Sequence, residues 1–202
     1  LFRGLPGVAL TAPADGAELN EALRFALARE GPTMIRYPRD QVPAPLAETC
    51  PPFESGRARW LRQGADGTFL CYGATAAAAC EAAGRLAGDG IAMGVVSARF
   101  AKPLDEALLA TLMTAGGPVI ACEDHARAGG FGEAVLEAAH RAGLPTERLV
   151  ILSLPDRFIA HAGRTEQLRQ TRLDADGLAQ AARDALRPRR TSSLAEAMDS
   201  RG

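Results

Sequence analysis

Long hydrophobic runs are absent from this chain: no stretch approaches the roughly 18 apolar residues of a bilayer span. The opening residues Leu1-Phe2-Arg3-Gly4 also lack the charged, apolar and small-residue regions of a signal peptide. The sequence therefore predicts a protein that is neither embedded nor exported. No excess of one charge exists either, since 23 basic and 24 acidic residues leave a formal net charge of -1. These charges are scattered, so no electrostatic footprint for nucleic acid is expected. The four cysteines, Cys50, Cys71, Cys80 and Cys122, never occur in C-x-x-C spacing, and Cys71 and Cys122 lie in apolar runs where a reduced thiol acts as a small hydrophobe. Free thiols in a reducing cytosol are the expectation, and hence a cytoplasmic location.

Motif spacing excludes further chemistries. His125, His140 and His161 form no H-x-x-x-H or H-E-x-x-H pattern and accompany no G-x-S-x-G elbow, so neither a metalloprotease-type site nor a hydrolytic triad is predicted. His140 is expected on an exposed helix face, and His125 and His161 in loops. Gly88-Asp89-Gly90 resembles the start of the Mg²⁺ motif of thiamine diphosphate enzymes, which ends about 30 residues later in an asparagine ligand. Asn20 is the sole asparagine and lies upstream. Gly88-Asp89-Gly90 is thus read as a turn between a helix and a strand.

What is present is a globular composition, 47% hydrophobic and 23% charged over 202 residues, enough for a sizeable core. The opening third reads as strand (7–11), helix from near Asp15, and strand (33–37). Asp15 and Glu18 form an Asp-x-x-Glu capping box. Leu19, Leu23 and Leu27 follow at spacing four as an apolar stripe, and Gly31-Pro32 ends the helix. Between 43 and 64 the pattern breaks down among Pro43, Pro45, Pro51 and Pro52, so this segment is read as a connector. Short apolar runs then alternate with helical stretches. Strands are predicted over 68–72, 92–96, 119–122 and 149–152, with helices over 74–87, 104–115, 132–142 and 176–186 and a short one near 164–169. The strands are apolar on both faces, as in a mostly parallel sheet covered by helices. The tail 188–202 is expected to be disordered.

Two segments are candidate ligand sites. Gly129-Gly130-Phe131-Gly132 precedes a helix, so its amides either hold an anion or make a tight structural turn. It matches neither the dinucleotide fingerprint nor the phosphate loop. Arg36-Tyr37-Pro38-Arg39 ends a predicted strand and carries a proline that stiffens the backbone, which suits a guanidinium aimed at a phosphate. The alternative is a surface arginine paired with a neighbour such as Asp40.

Several segments, in order, resemble the 1-deoxy-D-xylulose-5-phosphate synthase family. They are Leu5-Pro6-Gly7-Val8 with Ala12-Pro13-Ala14-Asp15, Gly31-Pro32 through Arg36-Tyr37-Pro38-Arg39, Arg99-Phe100-Ala101-Lys102-Pro103-Leu104-Asp105, Glu123 with Gly129-Gly130-Phe131-Gly132, and Leu154-Pro155-Asp156-Arg157-Phe158-Ile159. The resemblance spans about 1–187 and implies an α/β fold. Residues 1–42 would be the end of a pyrimidine-binding domain, 43–64 a linker, and 65–187 a carboxy-terminal transketolase-like domain with a mostly parallel sheet flanked by helices.

The resemblance also implies a function. The intact enzyme would use thiamine diphosphate and Mg²⁺, bound by an amino-terminal portion not found here. As a homodimer it would join pyruvate to D-glyceraldehyde 3-phosphate, releasing CO2, in a step that serves isoprenoid precursor, thiamine and pyridoxal biosynthesis. Arg39 matches the arginine that anchors the acceptor's phosphate; no catalytic, cofactor or metal ligand is assigned here. The chain alone is expected to be inactive and to bind no cofactor. Asp40 stands where a glycine commonly follows, and a carboxylate there is able to pair with Arg39 and weaken phosphate binding. Two alternatives remain: another transketolase-like enzyme, such as the β subunit of a 2-oxo acid dehydrogenase, or a non-catalytic α/β assembly module.

Overall fold

The computed structural model describes residues 2–187; the tail expectation for 188–202 lies outside the described residues. A 3-10 turn, Phe2–Gly4, precedes strand β1 (Ala9–Thr11), helix α1 (Gly16–Ala28) and strand β2 (Thr33–Ile35). The capping box at α1 forms with one change. Asp15 accepts from the Glu18 amide at 2.8 Å, while Glu18 reaches past its cap to the Ala14 amide at 2.9 Å. The second Asp15 oxygen takes the Leu46 amide at 2.9 Å and so fastens the segment that follows β2.

The stripe Leu19, Leu23 and Leu27 does not face the core. Leu23 is 47% and Leu27 89% exposed, and α1 packs instead through Ala22 and Phe25 against Phe53 and Phe100. The reason is the buried polar face beside Ala22, on which Glu18 pairs with two arginines; this fixes the helix rotation.

The segment expected to be a connector carries a strand, β3 (Arg59–Arg62), which the sequence reading did not identify. The chain continues through β4 (Gly67–Tyr72), α2 (Thr75–Gly88), β5 (Met93–Ser97), β6 (Phe100–Lys102), α3 (Glu106–Thr114), β7 (Val119–Ala126), α4 (Phe131–Arg141), β8 (Leu149–Leu154), α5 (Arg164–Gln170) and α6 (Ala175–Leu186). One sheet has order β3-β5-β4-β7-β8, parallel throughout except for β3, which runs antiparallel at one edge. This is the mostly parallel, helix-covered sheet expected.

Side chains alternate across it. Phe69 and Cys71 of β4 face α2 and α6, whose alanines Ala76, Ala79, Ala83, Ala179 and Ala182 let the helices approach closely. Leu70 and Tyr72 face Leu109 and Leu112 of α3 and Phe131 and Val135 of α4. Fully burying each large apolar side chain contributes about 1.5–3 kcal/mol.

The second sheet, β2-β1-β6, joins the opening residues to the rest of the chain. β6 was not identified in the sequence. It arises because Arg99 adopts φ 57°, a left-handed conformation costly for a residue with a Cβ. That turn sends the chain out of β5 and across to β1, with which β6 pairs antiparallel. The Arg99 carbonyl accepts from the Ala12 amide at 2.9 Å. Its side chain holds the turn in place through Glu18 at 3.1 Å, the Pro51 and Pro52 carbonyls at 3.0 and 3.2 Å, and the Phe53 ring at 4.4 Å.

Candidate functional site

Past Ile35 the strand β2 gives way to Arg36-Tyr37-Pro38-Arg39, and the structure separates the roles of the two arginines. Arg36 turns inward to the carboxyl end of β7. There its Nη1 meets Asp124 Oδ1 at 2.5 Å and its Nη2 donates to the Asp124 carbonyl at 2.7 Å. The other Asp124 oxygen accepts from Arg164 Nη2, in the first turn of α5, at 2.7 Å. Arg164 Nε in turn lies 3.3 Å from Asp40 Oδ2. The result is an alternating row, Arg36, Asp124, Arg164, Asp40. The Asp124 side chain is only 3% exposed. Burial by itself would raise its carboxyl, yet the two guanidinium groups prevail and hold it below the ordinary aspartate value.

Arg39 stays outside this row. It is exposed and has no ion pair among the described residues, so the anticipated pairing with Asp40 does not form; Asp40 is taken by Arg164. Arg39 borders a cavity of about 320 Å³ whose other walls include Pro13, Asp15, Leu19, Tyr37 and Ala74. An exposed guanidinium at the rim of a small cavity, beside a carboxylate already neutralised, is chemically suited to an anion.

The glycine turn at 129–132 resolves as structural. Glu123, buried at the end of β7, accepts from the amides of Phe131 at 2.7 Å and Gly132 at 2.8 Å, and Glu133 takes the Gly129 amide at 2.7 Å. The α4 amino terminus is therefore capped by the chain's own carboxylate, which occupies the place an anion would take. Burial raises the Glu123 carboxyl above its usual value, and its two amide bonds, His125 and Arg36 only partly offset that. A cavity of about 390 Å³ opens beside it, lined among others by Arg3, Arg36, Tyr72, His125 and Phe131. Tyr72 stacks on Phe131 with centroids 5.1 Å apart.

His140 is exposed on α4 and His161 lies in a loop, as expected. His125 is a correction: it belongs to the end of β7, not to a loop, and its Nδ1 lies 2.9 Å from the Ala126 carbonyl oxygen. Gly88-Asp89-Gly90 is the turn between α2 and β5, and Asp89 there pairs with Arg183 at 2.6 Å. No group of three His, Cys, Asp or Glu side chains among the described residues is arranged to hold a metal ion. With the α4 amides filled as well, these residues do not fit a diphosphate with its Mg²⁺. No helix is long and apolar enough to cross a membrane among the described residues.

Comparison with known proteins bears directly on this arrangement. Residues 56–178, from just before β3 into α6, match the family described as "Transketolase, C-terminal domain". The chain belongs to that family. It is similar to the 1-deoxy-D-xylulose-5-phosphate synthase of Rhodopirellula baltica, 39% identical over 184 residues, which is 91% of this chain and 29% of that protein. The synthase of Thermus thermophilus is 41% identical over 180 residues, 89% of this chain and 28% of that protein. The chain thus spans under a third of the length of these relatives. Among solved structures, a split-gene transketolase described as an inactive β4 tetramer superposes with TM-score 0.80 at 32% identity, over 91% of this chain and 58% of that one. Transketolase from Pichia stipitis superposes with TM-score 0.67 at 22% identity, over 92% of this chain and 26% of that one, a likeness of fold alone.

Sequence reasoning found the Arg36–Arg39 segment and missed its supports. Glu123-Asp124 at the end of an apolar run hinted at buried carboxylates at a strand's carboxyl end, where open α/β sheets place their sites. Nothing in the sequence tied Arg164, 124 positions downstream of Asp40, to that place.

Proposed function

We propose that this chain is the carboxy-terminal part of a 1-deoxy-D-xylulose-5-phosphate synthase, with Arg39 contacting the phosphate of D-glyceraldehyde 3-phosphate. The observation that carries the second half is the Arg39 guanidinium at the rim of its cavity, without an ion pair among the described residues; similarity to the synthases carries the first. On this reading residues 1–42 end the pyrimidine-binding domain, 43–64 link, and 65–187 form the carboxy-terminal domain. A complementary amino-terminal portion supplies the site for thiamine diphosphate and Mg²⁺ in a cytoplasmic homodimer. When bound there, thiamine diphosphate supplies the electron sink for pyruvate decarboxylation. The residues of this chain bind and orient the acceptor: Arg39 takes its phosphate dianion, and the tethered backbone of 36–40 fixes the direction of approach.

The test is formation of 1-deoxy-D-xylulose 5-phosphate and CO2 from pyruvate and D-glyceraldehyde 3-phosphate, with thiamine diphosphate and Mg²⁺. It is run on the chain alone and after mixing with a separately expressed amino-terminal portion of a relative. Turnover only in the mixture, with the acceptor KM raised about tenfold or more by Arg39→Ala, is expected from loss of a charge-assisted contact. Turnover by the chain alone, or an unchanged KM, would refute the reading.

The likeness to the split-gene transketolase favours a second reading, in which the chain serves a transketolase, an enzyme whose Pichia stipitis form was solved in complex with xylulose 5-phosphate. In the same mixture, activity with xylulose 5-phosphate but none with pyruvate would decide for it.

A further inference from the structure

Between Arg36 and Asp40 the chain is held at both ends by one buried carboxylate. Asp124 binds Arg36 directly, and it binds Asp40 through Arg164. Formal charges along that row cancel in pairs. What remains, one residue before Asp40, is the positive charge of Arg39. A carboxylate adjacent in sequence to an exposed arginine is its nearest natural competitor, and the energy separating the two pairings is small at a surface. Here the competition is settled by Arg164, whose side chain is 28% exposed against 46% for Asp40 and is itself pinned to Asp124 at 2.7 Å. A guanidinium presents several N–H donors in a fixed plane, so one group is able to serve two carboxylates at once.

We propose that Arg164 is a positioning residue for the anion site: by holding Asp40, it keeps Arg39 free for the phosphate of the acceptor. The inference rests on the Arg39 reading above and adds a second arginine, on α5, that touches no ligand. With Arg164 removed, Asp40 keeps the Gln41 amide, 2.7 Å from its Oδ1, but loses its charged partner, so its free oxygen turns toward Arg39 and also repels an incoming dianion. Removing Asp40 as well eliminates the competitor, so the double variant recovers binding. A purely structural role for Arg164 predicts no such recovery, because deleting Asp40 repairs no packing.

The experiment is a ³¹P NMR titration of inorganic phosphate into the full chain at low ionic strength, on the wild type and on Arg39→Ala, Arg164→Ala, Asp40→Ala and the Arg164→Ala/Asp40→Ala pair. Circular dichroism checks that each variant is folded. Arg39→Ala should abolish saturable binding. Arg164→Ala should weaken it about fivefold, the effect of a surface charge pair acting on a charged ligand. The double variant should return to within about twofold of the wild type. Binding lost in Arg39→Ala yet unchanged in Arg164→Ala, or equally weak in Arg164→Ala and the double variant, overturns the Arg164 assignment and leaves Arg39 standing. Wild-type chain that binds no phosphate, or binding that survives Arg39→Ala, removes the Arg39 reading and this inference with it.

Discussion

Asp124 accepts from Arg36 and Arg164 with both carboxylate oxygens while only 3% of its side chain meets water, so its ionised state is built into the fold. Because its value in the folded chain lies below the ordinary 3.8, the stability it contributes is present above that pH and is lost as pH falls through the lowered value. Glu123 works in reverse: its raised value means that its ionised form is disfavoured in the folded state, so the stability present below the ordinary 4.5 is lost as pH rises through the raised value. Asp124→Asn keeps the shape and removes the charge. At pH 7 it should cost about 2 kcal/mol, less than a fully buried pair would, because Arg36 and Arg164 are partly exposed. Urea unfolding at pH 7 and pH 3 checks this: the gap between wild type and variant should narrow at the lower pH. A gap of constant size would mean that Asp124 acts through packing alone.

At the level of elements, α4 begins where Glu123 accepts the Phe131 and Gly132 amides, and this junction leaves no room for a side chain. A Cβ added at Gly130 would sit 2.5 Å from Glu123 Oε2 and 2.6 Å from the Ala126 carbonyl oxygen. Gly130→Ala should therefore lower stability by about 2 kcal/mol or more as the cap is pushed aside. Gly84→Ala, in the exposed middle of α2 with nothing within 4 Å of the added carbon, should raise it by about 0.5–1 kcal/mol. Thermal melts of the two variants should move in opposite directions, and a loss at both would discredit the account of Gly130. The same contrast explains what was legible in the sequence. The four parallel strands of the main sheet are largely apolar runs that alternate with helical stretches, so the pattern sufficed for β4, β5, β7 and β8. β3 is a four-residue edge strand with an arginine at each end, following a proline-rich stretch. β6 is three residues long and exists because Arg99 turns left-handed toward β1, some 90 positions upstream. Both depend on partners distant in sequence. The candidate site divides likewise: an arginine of 36–39 was readable from its local segment, Arg39 was singled out by the family resemblance, and Asp124 and Arg164 are brought beside it only by the fold.

Across the whole molecule, the opening residues and the main sheet are fastened by a buried charge cluster centred on Glu18. Its carboxylate is fully enclosed and accepts from the Ala14 amide at 2.9 Å, Ser97 Oγ at 2.9 Å, Arg99 Nε at 3.1 Å and Arg59 Nη1 at 3.3 Å. These donors come from the loop before α1, from β5, from the left-handed turn and from β3, so one side chain on α1 ties four separate stretches of the chain together. Asp15, 3.9 Å from Arg59, balances the second guanidinium. An enclosed cluster of this kind adds little when complete but costs heavily when one member is deleted, because the remaining charges stay buried without a partner. Glu18→Ala should therefore destabilise the chain by about 3–5 kcal/mol. The loss should fall on the joint between the sheets, since the apolar core between β4, α2 and α6 does not include Glu18. Calorimetry of the wild type should give one cooperative transition, whereas Glu18→Ala should separate an early step, the release of α1 and the β2-β1-β6 sheet, from the later unfolding of the main sheet. A loss below about 1 kcal/mol with a single transition would show that the apolar contacts of Ala22, Phe25, Phe53 and Phe100 hold that joint without the charges.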